Sequence, residues 1–234
     1  MYNVSNIYSG WGGSVKSAIL DKGENCYTHM TKVFKAIGNE QINYNWLITN
    51  CECYPQDEEV YKLFSKEYVW ISGAELTEII DKEEFQIIWG VFSGFSKGIK
   101  LEDVLKYDLP FADGYKGFWV DNVGIQHPLA DIEIVAWDSA LTLFISKKEN
   151  LVQQFRLSFP LSEDLSERNT RENFEIAHIQ ELLTAELIKR DIDVDEEALR
   201  QKYLIWRKLY LDTNRLVKDE EILHCIRETL NRNK

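Results

Sequence analysis

Proline and glycine are scarce in this 234-residue chain, and after Pro160 neither occurs through Lys234. That absence excludes tight hairpins and glycine-capped turns from the last third, where charged and apolar residues instead recur at helical spacing. The chain therefore divides near Pro160, with residues 1–160 as one domain and 161–234 as a helical C-terminal segment expected to pack on it. Cysteine is also sparse, with four residues, Cys26, Cys51, Cys53 and Cys225. Met1 to Gly13 has no basic end followed by an apolar run, so no secretory leader is expected and the thiols should be reduced in a cytoplasm. No run of about 20 apolar residues is present, so no membrane-spanning helix is expected.

Positive charge is the other deficit. Lys and Arg number 27 against 39 Asp and Glu, a formal net charge of -12. Such a field repels nucleic acid phosphates and anionic lipids and attracts basic partners. Two readings stand side by side: an acidic surface serves solubility, or it offers a counterpart to a basic protein such as a nuclease domain.

What is present suits a globular fold. Hydrophobic residues make up 44% of the chain and aromatics 12%, enough to build a core without staples. Tyr44 to Thr49 and Tyr68 to Ile71 are aromatic and β-branched runs that read as strands. Asp57 to Phe64 between them reads as a short helix. Ser72 followed by Glu75 has the capping-box spacing, opening a helix whose face is Leu76, Ile79 and Ile80. Phe85 to Phe95 suits a strand buried on both faces, with Gly90 and Gly94 marking bends or close backbone approach. Asp131 to Trp137 and Leu141 to Ile145 flank Asp138-Ser139-Ala140 as a hairpin. Thr28 to Ile37, ended by Gly38, and Lys147 to Phe159, ended by Pro160, read as helices. The first 25 residues give no clear pattern. This order predicts an α+β fold with a mixed or mostly antiparallel sheet and flanking helices, followed by a three-helix segment.

In that segment Thr170 is the expected cap of the first helix, with Phe174, Ile176, Ile179, Leu183 and Leu187 inward. Asp193 with Glu196 should open the second, through Leu199, Tyr203, Trp206 and Tyr210. Ile222, Leu223, Ile226 and Leu230 mark the third. These stripes cover one another or the first domain, or else they serve assembly with a partner.

Candidate chemistry is thin. Ser9-Gly10-Trp11-Gly12-Gly13-Ser14 lacks the Lys-Ser or Lys-Thr pair of a phosphate loop and reads as a turn. Cys51 and Cys53 are expected to point apart on their strand, which would frustrate a shared metal. Zinc would also want a wider spacing and a second ligand pair. No metal or cofactor is therefore expected. His127, in a loop before a strand, could act as a base with Asp131 or Asp138, or with Ser139 as nucleophile. Turn chemistry accounts for Asp138-Ser139 more simply. The acidic clusters at Glu58-Glu59 and Glu83-Glu84 either favour helix starts and solvated faces or present anions to a partner's Lys and Arg. Tyr115 and Trp119, in a glycine-flanked aromatic stretch, would be interface anchors if exposed and core if buried.

The Ile87-Ile88-Trp89-Gly90-Val91-Phe92-Ser93-Gly94-Phe95 run resembles segments of bacterial immunity proteins of polymorphic and contact-dependent toxin systems. So does Asp131 to Ser139 with the strand and amphipathic helix that follow. The resemblance spans roughly Tyr44 to Phe159. It implies a non-enzymatic, cytoplasmic protein that binds and blocks a cognate toxin domain. The residues expected to meet such a partner are Glu58, Glu59, Glu83, Glu84, Tyr115 and Trp119. An unfamiliar hydrolase using His127, and an assembly module acting through the C-terminal helices, are the alternatives.

Overall fold

The computed structural model describes residues 15–211 and 215–232. The glycine-rich Ser9 to Ser14 stretch lies outside the described residues. Two compact units divide the chain, Met1–Glu167 and Arg168–Lys234.

The first unit is built on one sheet. Among the described residues its strands are β1 (Lys16–Leu20), β2 (Tyr44–Cys53), β3 (Tyr68–Ser72), β4 (Ile87–Ser96), β5 (Ile132–Trp137), β6 (Leu141–Ser146) and the two-residue β7 (Glu163–Asp164). They lie in the order β3-β2-β4-β5-β6-β1-β7, and every neighbouring pair is antiparallel. The fold is α+β. The β5–β6 turn works as the sequence suggests. Asp138 and Ser139 both adopt positive φ, 47° and 56°, and the Ala140 N–H donates to the Trp137 carbonyl at 2.9 Å. Two successive left-handed residues match the twist of the strands they join.

The sheet is apolar on both faces, and each face needs a cover. On one, Trp46, Phe92, Ile134 and Phe144 pack against α1 (Met30–Ala36), α2 (Glu58–Phe64), α3 (Gly73–Lys82) and α5 (Glu149–Ser158). Trp46 is fully buried, and its indole N–H donates to the Gln41 carbonyl at 3.0 Å. Its ring lies over Gly94, its cross-strand partner, where an added Cβ would meet the indole at 3.1 Å. Ser72 and Glu75 form the full capping box of α3. Gly73 lets that helix start against the turn at Glu40–Asn43, since a Cβ there would stand 1.9 Å from the Gln41 carbonyl oxygen.

The other face is covered by residues 97–131, which hold only the short α4 (Leu101–Val104) and one 3₁₀ turn, Lys116–Phe118. Val91, Val135, Leu143 and Ile19 meet Ala112, Phe118 and Val123 there, while Leu47 and Phe95 meet Val104 and Ala130. Irregular backbone laid on an apolar sheet must find partners for its polar groups. Buried side chains of the sheet supply several. Thr49 donates to the Pro110 carbonyl at 2.7 Å, and the Glu133 carboxyl accepts from the Gln126 N–H at 3.2 and 3.3 Å. The Gln126 amide in turn exchanges two hydrogen bonds with the Phe111 backbone, at 3.1 and 2.8 Å.

The second unit follows the predicted helix count with different boundaries. Its helices are α6 (Leu165–Lys189, beginning just before the division), α7 (Glu196–Tyr210) and α8 (Asp219–Arg232). Thr170 is not a cap, because the chain is already helical from Leu165 and Asp164 accepts from the Glu167 N–H at 3.0 Å. Asp195, not Asp193, caps α7 by accepting from the Ala198 N–H at 2.7 Å. Ile179, Leu183, Leu187, Ile205, Ile222, Cys225 and Ile226 form the core. Ile179, Leu183 and Leu187 face inward as expected, whereas Phe174 and Tyr203, expected inward too, are 74% and 55% exposed, and Ile205 takes the core position on α7.

Glu133 sets a pH signature for this fold. Complete burial pushes its carboxyl from 4.5 up to about 8, against the opposing pull of the Gln126 and His127 N–H groups and the Ser93 hydroxyl. Between those two values the folded chain holds a proton that the unfolded chain has lost, so stability should fall as pH rises through that window. Glu133→Gln, which mimics the protonated acid, should flatten the slope and stabilise the protein at about pH 9 by on the order of 4 kcal/mol. Urea unfolding across pH measures it. Parallel wild-type and variant curves would contradict the assignment.

Candidate functional site

Position Cys53 ends β2, and what happens just before it shapes the most distinctive surface of the first unit. The β2–β4 register runs regularly to Thr49↔Val91, then jumps to Glu52↔Trp89 and Cys53↔Ile87. Asn50 and Cys51 fall between paired positions, and Asn50 turns into the left-handed region at φ 49°. A bulge of this kind re-aims side chains at the end of a strand. The Asn50 carboxamide then accepts from the Ala112 and Asp113 N–H groups at 3.0 and 3.4 Å, fastening the irregular cover to the strand. The result is a cleft of about 320 Å³ lined by Asn50, Cys51, Glu52, Lys66, Glu67, Trp89 and Asp113, among others.

Glu52 also belongs to the surface beside the cleft. It accepts the Tyr54 hydroxyl at 3.1 Å, a bond that raises the phenol above its ordinary value. The Tyr54 ring stacks on Tyr61 of α2 with centroids 6.3 Å apart and planes 22° apart. Both rings face solvent, at 63% and 43% exposure. α2 starts here because Asp57 accepts the Glu59 and Val60 N–H groups at 2.9 and 3.3 Å. Carboxylates in its first turn suit the positive end of the helix. Glu58 and Glu59 project there into solvent, with Lys62 Nζ at 3.6 and 3.0 Å. Around the tyrosine pair and the cleft, Glu52, Glu58, Glu59, Glu67 and Asp113 outnumber Lys62 and Lys66. Exposed aromatic faces ringed by carboxylates are suited to receiving Lys or Arg side chains.

The other expected binding residues stand elsewhere. Glu83 accepts the Gln56 and Asp57 N–H groups and so braces the entry to α2. Glu84 pairs with His29 at 2.9 Å. Tyr115 and Trp119 are half-buried in the second core cluster, with Tyr115 edge-on to Phe118 at 4.7 Å and Trp119 edge-on to Trp137 at 5.0 Å. Tyr54 and Tyr61 were not singled out in the sequence. The visible signal was Tyr-Pro after a strand followed by an acidic helix start, but exposure of either ring depends on tertiary packing.

His127 is buried, and both ring nitrogens are engaged. Nε2 lies 3.1 Å from the Val104 carbonyl, and Nδ1 accepts the Leu129 N–H at 3.2 Å. That pairing assigns the neutral tautomer with the proton on Nε2. Phe95 and Tyr107 close on the ring edge-to-face at 4.8 and 5.4 Å. Neither nitrogen is bonded to Asp131, which instead accepts from Ser96 at 2.7 Å, nor to Asp138 in its turn. Cys51 and Cys53 correct another expectation. Residues two apart on a strand share a face, and their sulfurs lie 3.9 Å apart. No group of three or more His, Cys, Asp and Glu is placed to hold a metal among the described residues. No helix among them is long and apolar enough to cross a membrane.

The first unit is thus an antiparallel α+β sheet domain with an acidic, aromatic surface at one end of β2. Residues 19–112, from β1 into the irregular cover, match a family model described as a protein of unknown function, DUF2691. The match names no activity and does not connect the chain to immunity proteins. No curated protein and no solved structure matches the chain.

The His127 geometry makes a testable claim of its own. Burial lowers its imidazole below the ordinary 6.5, so its contribution to stability is complete above that value and is lost as pH falls below it. His127→Ala strips two hydrogen bonds and two ring contacts and should destabilise the protein by about 2–4 kcal/mol in chemical denaturation. An unchanged midpoint would show that the ring does not hold the cover in place.

Proposed function

We propose that this chain is a binding protein that neutralises a basic protein partner, namely a toxin domain of the same bacterial cytoplasm. The observation that carries the reading is the solvent-exposed Tyr54–Tyr61 pair set among Glu52, Glu58 and Glu59 on a braced strand end and helix start. Aromatic rings supply contact area at little entropic cost, and the carboxylates speed encounter with a cationic surface. The acid excess of the whole chain acts in the same direction. In this reading Glu58 and Glu59 meet the partner directly. Glu83 and Glu84 hold the underlying scaffold, and Tyr115 and Trp119 support the cleft wall from the second core.

The test is co-expression with the protein encoded immediately upstream. The pair should co-purify, and the chain should protect growth against that protein. Tyr54→Ala with Tyr61→Ala should weaken binding by about 100-fold, in line with the loss of two anchor residues. Glu58→Lys with Glu59→Lys should slow association and reduce its salt dependence. All four side chains are exposed, so circular dichroism should be unchanged. Absence of growth protection, or binding indifferent to all four substitutions, would overturn the proposal.

A further inference from the structure

Cys51 and Cys53 have no part in the binding role above, yet the first unit brings their two thiols together. Cys51 is partly exposed and lines the cleft, whereas Cys53 is buried behind it. The Cys51 S–H points at the Cys53 sulfur across 3.9 Å. A disulfide needs its sulfurs at about 2.0 Å, so closure must draw them together through side-chain rotation and movement of the backbone between them. The strand is built to allow it. Asn50 and Cys51 sit outside the β4 register, and β3 pairs with β2 only as far as Thr49↔Tyr68. Neither neighbour ladder therefore pins the backbone at Cys51. The remaining cysteines lie elsewhere, Cys26 before α1 and Cys225 within α8 of the second unit.

We propose that Cys51 and Cys53 form a redox-active dithiol that closes to an intramolecular disulfide when a small-molecule disulfide enters the cleft. Cys51, reached from the cleft, attacks one sulfur of the incoming disulfide, forming a mixed disulfide and expelling one thiolate. Cys53 then attacks the Cys51 sulfur and expels the second thiolate. The protein dithiol loses two electrons, the incoming disulfide gains them, and the two protein thiol protons leave on the two released thiols. The division of labour follows from access, since Cys51 lines the cleft and Cys53 is buried. The hydrogen bond between the two sulfurs holds the Cys51 thiol well above its ordinary value and the Cys53 thiol below it. The raised Cys51 thiol makes the first attack slow. Glu52, between the two cysteines, carries the hydrogen bond to Tyr54. Closure would thus reshape the acidic, aromatic surface, although the dithiol stands independently of what that surface binds.

The experiment uses the full chain, reduced and equilibrated with mixtures of glutathione and glutathione disulfide. Samples are quenched in acid, alkylated and weighed intact. The reduced chain takes up four alkyl groups, one for each of its cysteines. The oxidised chain should take up two, and peptide mapping should place the missing pair at Cys51 and Cys53. Cys26→Ser and Cys225→Ser should close normally, whereas Cys53→Ser should stop at a glutathione adduct on Cys51. Preorganisation predicts a closure constant for the folded chain at least about tenfold above that in urea, or about 30 mV in potential. Four alkyl groups at every mixture, a bond that involves Cys26, or equal closure in folded and unfolded chains would overturn the proposal. The mapping and the folded-against-unfolded comparison use the wild-type chain, so they stand even if Cys53→Ser does not fold.

Discussion

Burial of the sheet on both faces is the constraint from which the rest of the first unit follows. An antiparallel sheet commonly leaves one face to solvent, but here β4 carries Phe92 to one side and Val91 and Phe95 to the other, all fully buried. Helices cover the first face in the ordinary way, with their own hydrogen bonds satisfied internally. The second cover is almost without regular structure, so its backbone must be paired by side chains. That is why polar residues recur on the strands beneath it: Thr49, Asn50 and Glu133 each hold a backbone group of residues 97–131, and His127 ties the cover to itself. Burial pushes Glu133 toward its neutral form and keeps His127 neutral, against the pull of hydrogen bonds to the cover.

The candidate site is a consequence of where that cover stops. Asn50 leaves the ladder to bond the cover at Ala112 and Asp113, and β2 bulges in doing so. The bulge opens the cleft, releases Cys51 from both neighbouring strands and turns Glu52 toward Tyr54. Tyr54 and Tyr61 then lie beyond the sheet, exposed among the described residues. Their exposure sets them apart from the many aromatics of the unit that fill the two cores, Tyr115 and Trp119 included. A surface of stacked rings and clustered carboxylates is held in place only where the backbone beneath it is braced. Glu83 and the Asp57 cap supply that bracing.

Much of the fold was legible because local rules and tertiary needs agreed. Ser72 with Glu75 capped α3, the Asp138-Ser139 turn joined β5 to β6, and the continuous apolar run at β4 was a strand buried on both faces. Legibility failed where partners distant in sequence decided. β1 was unread because Lys16 and Ser17 break its apolar pattern, although Ser17 is buried between β6 and β7. Phe174 was grouped with Ile179, Leu183 and Leu187, which do form the core, but it stands five residues before Ile179 and so falls off their i, i+4 stripe. The direction of the two thiols was misjudged against the two-residue period of a strand. His127 had the composition of a catalytic base, and its geometry is that of a clamp on Val104 and Leu129.

By itself the sequence determined the α+β class, the helical character of the last third, the Ser72–Glu75 capping box, and the acid excess that repels polyanions. Those features rest on contacts between near neighbours and on bulk charge, which any conformation of the chain carries. Tertiary structure alone decided which aromatics were core and which were surface, and that His127 is engaged on both nitrogens. Each of these depends on the second cover folding back onto the sheet, and that return is set by long-range hydrogen bonds which no local pattern encodes.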